Sequence, residues 1–302
     1  MAATSVPFYL LTAFTSSPFA GNPAAVVIVD TEAYPSETYA KISATLSQPM
    51  TAFVSPSNLP SEEAGTIVRS VRYIVPTGYE IPICGHATLA VGKALFDMPD
   101  IAQSNVDTIL LKNKFGHTLK ISKLDGGFYQ IRLPSTIPGT IADAEKARLK
   151  ALVDKAFGRD VAVVDIKTGG ETYSRYVLVE LDASEDLAGS AVNAQELVPN
   201  GFSVNVFTRA STDPEEMCIS RMFAPIAVPS PSEDPVCGSA HAVMAPYWHM
   251  KDNLTPGKEV KAKQVSARGG DLRVVWDSAE NTVKLGGQCA VFVSGVLNVP
   301  SQ

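Results

Sequence analysis

The apolar and polar positions divide this chain into short strands interrupted by two unusually small-residue helices. Phe8 to Phe14 is apolar and aromatic, and Ala24 to Val29 is a β-branched run of the buried-strand type. Between them Ser16, Ser17, Pro18, Gly21, Asn22 and Pro23 supply turn chemistry. In ETYAKISATLS (37–47), Tyr39, Ile42 and Leu46 fall on one helical face. TAFV (51–54) and IVRSVRYIV (67–75) read as strands. HATLAVGKALF (86–96) is small and apolar on every side, which predicts a helix enclosed all round. Residues 108–133 alternate as antiparallel strands, with Asp125-Gly126-Gly127 as a hairpin turn.

The second half repeats this order. A helix over 142–158 precedes strands at 162–170 and 174–181, a helix near 194–197, and strands at 202–210 and 216–225. EDPVCG (233–238) then opens a second small-residue helix, followed by strand-like segments from 260 to the end. Ile83-Cys84-Gly85-His86-Ala87 parallels Val236-Cys237-Gly238-Ser239-Ala240, and the two cysteines are 153 residues apart, about half the chain. The pattern predicts an internal duplication. Leu133 to Gly139, with two prolines and a glycine, is the expected linker. The expected domains are 1–133, joined by the last strand at about 290–302, and 134–289.

Each repeated turn has chemical potential. A glycine at a helix mouth lets backbone approach a ligand. The first helical N–H groups carry partial positive charge and suit a carboxylate or an oxyanion. Cys84 and Cys237 stand just before these helices, where a thiol pKa is expected to fall. Glu233 and Asp234 are placed for acid–base work or for orienting His86. Each residue also has a plainer reading: buried thiols as small hydrophobes, Glu233 as a turn cap, and His86 as a satisfied first-turn residue. Cys218 and Cys289 lie in strand patterns and read as core; His117 reads as solvated.

Composition narrows the partners. The chain is 45% hydrophobic and 19% charged with net charge −6, ordinary for a globular protein with no basic patch for nucleic acid. No apolar run reaches membrane-spanning length, and the start lacks a signal-peptide pattern, so no membrane partner and a cytoplasmic location are expected. Four cysteines without CxxC spacing and four histidines without ligand spacing suggest neither a disulfide framework nor a metal site.

Taken together, AFTSSPFAGNPAAVV (13–27), TAFV, PTGYEIPICGHATLA (76–90), RMFAP (221–225), EDPVCGSAHAVMAPYW (233–248) and QVSARGG (264–270) make the chain resemble the phenazine-biosynthesis PhzF-like family, within the diaminopimelate epimerase-like fold. The resemblance implies an α+β protein of two similar domains. Each is an antiparallel sheet or barrel wrapped around a central helix, with the active site in the interdomain cleft. It further implies a homodimer, a small-molecule substrate, and no metal or organic cofactor. His86, Asp234 and Ser239 match the residues that surround the family's proton-shuttling glutamate, with Gly85 and Gly238 supplying backbone. The glutamate itself is replaced: alignment through TAFV puts Met50 there, and a shifted alignment puts Gln48 there. Thr12 stands where an aspartate is common.

The expected catalytic set is therefore Asp234, His86, Ser239, Cys84 and Cys237. The expected substrate-binding set is Gly85, Gly238, Met50, Gln48, Asn22, Thr12 and Glu233. The expected activity is cofactor-independent isomerisation of a small carbonyl- or carboxylate-bearing metabolite. Alternatives are a two-cysteine epimerase, a cyclase working by shape and hydrogen bonding, and a non-catalytic binder.

Overall fold

Strand pairings of the same kind recur in the same order twice along the chain. The computed structural model describes residues 3–61, 63–228 and 232–300, which divide into two units: the chain up to Arg132 together with Gly286 onward, and Leu133–Leu285. The first unit contains β1 (Ala3–Ala13), β2 (Asn22–Ile28), α1 (Ser36–Leu46), β3 (Thr51–Val54), β4 (Thr66–Ile74), β5 (Glu80–Ile81), α2 (Gly85–Phe96), a short α3 (Pro99–Ala102), β6 (Thr108–Lys112), β7 (Thr118–Lys123) and β8 (Phe128–Pro134). The second contains α4 (Asp143–Phe157), β9 (Val163–Gly169), β10 (Tyr173–Leu181), β11 (Val204–Ala210), β12 (Glu216–Phe223), β13 (Glu233–Asp234), α5 (Gly238–Lys251), β14 (Glu259–Gln264) and β15 (Gly270–Asp277). The long β16 (Thr282–Pro300) carries the chain from the second unit back into the first.

The duplication extends through the pairings from β1 to β7 and from β9 to β15. β1/β2 and β9/β10 are antiparallel; β2/β3 and β10/β11 are parallel. β3/β4 and β11/β12 are antiparallel, and so are the two-residue additions β4/β5 and β12/β13. β4/β6 and β12/β14 are parallel; β6/β7 and β14/β15 are antiparallel. The α+β class and the epimerase-like architecture hold, but the sheets are mixed and not purely antiparallel. The parallel pairs follow from the connections between them. A chain that must return in its original direction needs a crossover, and α1 and α2 form two of these. In the first unit the path β1-β2-β3-β4-β6-β7-β8-β16 closes because β16 also pairs with β1.

The small-residue helices are the centres of their units. In α2 every residue except Gly85 and Lys93 is buried, and the helix packs against β1, β2, β3 and β7. Gly92 permits the closest approach: a Cβ there would lie 2.7 Å from Ile121 Cγ2. Helix α5 is buried from Ala240 to His249 and packs against β10, β12 and β15. Helix α1 lays Tyr39 on Phe53, ring centroids 4.9 Å apart, with Ile42 and Leu46 packed on the same cluster. Cys218 and Cys289 are buried and His117 is exposed.

One local expectation changes, and the hairpin turn at Asp125-Gly126-Gly127, which joins antiparallel β7 and β8, gains detail. The segment at 194–197 is a 3-10 stretch, Ala194–Asn200, because Pro199 lacks the N–H that a longer α-helix would use. Asp125–Gly127 is one 3-10 turn in which Gly126 and Gly127 take φ of 71° and 74°, values open to glycine at no steric cost.

Candidate functional site

The two Cys-Gly turns are built on the same frame. At each, an arginine on the long strand grips the glutamate that opens the turn. Arg72 Nη2 lies 2.7 Å from Glu80 Oε2, and Arg221 Nε and Nη2 lie 2.7 and 2.8 Å from the two oxygens of Glu233. Each arginine also donates to loop carbonyls, Thr31 for Arg72 and Leu187 and Ser190 for Arg221. An amide side chain from the neighbouring strand end reaches back to each turn. Asn113 Nδ2 donates to Pro82 O and Gln264 Nε2 to Asp234 O, both at 2.5 Å. Cys84 and Cys237 then adopt extended backbone at the N-caps of α2 and α5. Their carbonyls accept side-chain bonds from one turn on, Thr88 Oγ1 at 2.6 Å and His241 Nδ1 at 2.8 Å.

Against this shared frame, the differences stand out. Ile81 and Asp234 hold the same register position, as do His86 and Ser239. Pairing through β2/β3/β4 and β10/β11/β12 likewise aligns Ala24 with Tyr176. The second unit's turn thus carries a carboxyl, a hydroxyl and a phenol where the first unit's turn carries an imidazole.

Asp234 is half-buried, and one oxygen accepts from Val236 N at 3.0 Å. Desolvation, reinforced by the neighbouring Glu233 charge, raises its pKa to about 7, although the Val236 bond opposes the shift. It can therefore give or take a proton near neutral pH. Burial lowers His86 to about 4, so its ring is neutral; its Nδ1 lies 3.4 Å from Cys84 Sγ. Ser239 Oγ lies 2.9 Å from the Tyr176 hydroxyl and 3.2 Å from Cys237 Sγ.

The expected drop in thiol pKa at the second helix opening is reversed. Desolvation, with the Asp234 charge nearby, pushes Cys237 up to about 12, outweighing the first-turn Ser239 and Ala240 groups that favour the thiolate. Cys237 is a protonated thiol at neutral pH. Glu233 is held by Arg221, so its carboxylate serves the frame of the turn.

The remaining sequence candidates lie in the first unit. Met50 is 3% exposed, and its carbonyl accepts from Ala25 N at 2.9 Å. Gln48 is half-buried and spends its amide on Leu46 O at 3.1 Å. Thr12 is buried and closes the first turn through Ser17 O, and Asn22 is buried where β2 begins. A cavity of about 450 Å³ is lined by none of these residues. It lies in the second unit beside Glu180, which accepts from both Tyr247 and Lys251.

Beyond the arginine frame, sequence reasoning also missed Gln264, Ser266 and Tyr176. Gln264 bridges the turn, accepting from Cys237 N at 2.9 Å while donating to Asp234 O, and Ser266 Oγ donates to Pro235 O at 2.6 Å. Both belong to QVSARGG, so the motif was visible but its bracing role was not. Tyr176 sits in an ordinary alternating strand and gave no signal.

A profile of the family described as "Phenazine biosynthesis-like protein" matches residues 11–295. The rat phenazine biosynthesis-like domain-containing protein is 30% identical over 97% of this chain and 99% of its own length. An uncharacterized isomerase of Halalkalibacterium halodurans is 30% identical over 89% of this chain and 91% of its own. A solved PhzF-family structure from Enterococcus faecalis superposes with a TM-score of 0.79 at 27% identity, covering 97% of this chain and 99% of that one. With its doubled Cys-Gly turns, the chain belongs to the phenazine biosynthesis-like (PhzC-PhzF) family.

Proposed function

We propose that the protein is a cofactor-independent isomerase of a small carbonyl- or carboxylate-bearing metabolite, in which Asp234 carries the transferred proton. The single observation behind this reading is the asymmetry of the two turns. Asp234 stands where the sister turn has Ile81, and its raised pKa suits both halves of a proton transfer near pH 7. A residue needed only for the frame has a counterpart in both units, as Glu80 and Glu233 do; Asp234 has none. The isomerase name of the Halalkalibacterium relative supports the reaction class.

Part of the proposal is that neutral His86 and Ser239 each fix substrate oxygens at their own turn, beside the Gly85 and Gly238 backbone. Met50 takes the place of the family's glutamate and offers shape and polarizable contact without acid–base capacity. Gln48, Asn22 and Thr12 complete the binding set. The buried thioether of Met50 also favours a second reading, a cyclase that folds its substrate and needs no proton shuttle. The cytoplasmic location and the homodimer belong to the proposal as well; the exposed apolar side chains Phe292 and Val296 on β16 support an assembly contact.

The test is turnover in D₂O of a panel of small unsaturated and carbonyl-bearing acids, followed by proton NMR. Isomerisation places solvent deuterium at one carbon of the product, and Asp234→Asn reduces the rate by at least a hundredfold. Product free of deuterium, with Asp234→Asn still active, rejects the isomerase in favour of the cyclase.

A further inference from the structure

The hydroxyl of Ser239 has two neighbours that are themselves donors. Tyr176 brings a phenol to 2.9 Å, and Cys237 brings a thiol to 3.2 Å. Among the described residues the Tyr176 hydroxyl bonds to Ser239 and to nothing else, so a Ser239-to-Tyr176 bond would leave the phenolic proton without an acceptor. Among the described residues Ser239 Oγ, at 3.2 Å, is the acceptor within reach of the Cys237 thiol, so a Ser239-to-Cys237 bond would leave the thiol proton without one. We propose that Tyr176 and Cys237 both donate to Ser239 Oγ, and that Tyr176 is thereby a positioning residue that commits the serine proton to an acceptor oxygen of the substrate. A serine oxygen has two lone pairs and one proton. With both lone pairs occupied, the O–H is all that remains.

The inference rests on the reading that Ser239 meets the substrate, and it refines that reading. The group bound at Ser239 is a carbonyl or carboxylate oxygen, never an ammonium or other donor. Tyr176 is well placed for the task. Its ring packs edge-on against Tyr173, centroids 5.1 Å apart, and Tyr173 is itself tied by its hydroxyl to Pro134 O at 2.7 Å. Burial raises the pKa of both phenols and keeps them protonated. Where the sister strand has Ala24, nothing could play this part.

Two measurements test it. The first needs no turnover, so it holds or fails independently of the isomerase reading. The S–H stretching band of Cys237 is isolated as the infrared difference between wild type and Cys237→Ala. A donating thiol shifts it below the free-thiol frequency, and Ser239→Ala returns it there. A wild-type band already at the free-thiol position overturns the proposal. The second uses benzoate and benzylamine as probes in NMR titrations. Benzoate binds and benzylamine does not. Tyr176→Phe, which keeps the ring, weakens benzoate roughly five- to tenfold, the scale of one hydrogen bond. Ser239→Ala weakens it at least as much, and the double variant loses no more than Ser239→Ala alone. Additive losses, equal binding of benzylamine, or no binding of benzoate overturns the proposal.

Discussion

Ile81 and Asp234 occupy the same position in two copies of one turn, Ile81 opposite Tyr73 and Asp234 opposite Met222. The turn folds with an apolar side chain at this place in one unit and a carboxyl in the other, so the carboxyl is an addition to a frame that does not require it. Its ordinary pKa is 3.8 and its folded value about 7. Between those values the folded chain holds a proton that the unfolded chain has released, and stability therefore declines as pH rises through this window. Asp234→Asn is expected to match wild type near pH 4 and to exceed it at pH 8 by about 2–4 kcal/mol. Urea unfolding at pH 4, 6 and 8 checks this. A difference that does not grow with pH removes the argument that Asp234 is held protonated.

The Arg221–Glu233 pair gives the opposite expectation for the adjacent acid. Both side chains are 10% exposed and meet through two parallel hydrogen bonds. Breaking such a pair leaves a guanidinium with loop carbonyls but no counter-charge. Glu233→Gln is expected to cost about 3 kcal/mol, and Glu80→Gln in the first unit a comparable amount, since Arg72 is equally enclosed. Denaturant midpoints report the loss. A Glu233→Gln variant as stable as wild type but inactive would return Glu233 to the chemistry.

Much of this arrangement was legible in the sequence, for physical reasons that differ by residue. The helix at 86–96 could be read because complete burial demands small apolar residues on every side, and only Gly85 and Lys93 escape it. The duplication could be read because Cys-Gly at a helix mouth is an uncommon phrase. What composition could not show was direction and distance. Parallel pairing depends on how a crossover returns, and QVSARGG does not reveal that Gln264 holds both Cys237 N and Asp234 O. Tyr176 was invisible because a tyrosine at an alternating position suits any strand. The thiol pKa was misjudged for a related reason. Helix-end chemistry is local and readable, whereas desolvation is set by residues far away in sequence, and at Cys237 it is the larger effect.

Gly92 sets a limit on how closely α2 can be enclosed. In a helix interior, glycine to alanine ordinarily adds about 1 kcal/mol of stability. Here a Cβ would stand 2.7 Å from Cγ2 of Ile121, and a branched methyl fixed in a strand cannot swing aside. Overpacking outweighs propensity, and Gly92→Ala is expected to destabilise by about 1–3 kcal/mol. A rise in thermal midpoint would show that β7 yields at this contact.

Acid should reach the fold through His241. This residue is 1% exposed; its Nδ1 faces the Cys237 carbonyl and so carries the proton, while its Nε2 is buried with no partner among the described residues. Burial lowers the folded pKa to about 4 from an ordinary 6.5. Above pH 6.5 the ring is neutral in both states and titration has no effect on stability. As pH falls from 6.5 towards 4, the unfolded chain takes up a proton that the folded chain refuses, and stability is lost, by about 2–3 kcal/mol over the window. His86 follows the same course, and Asp234 contributes the opposite slope, so the contribution is best isolated by substitution. His241→Gln keeps a group able to donate to Cys237 O but cannot protonate. It is expected to lower proton uptake on unfolding at pH 5 by about one, flattening the pH dependence by about 1.4 kcal/mol per pH unit. Unfolding free energies collected from pH 4 to 7 decide the matter: parallel curves for wild type and His241→Gln would mean that the ring is reached by solvent and protonates without cost.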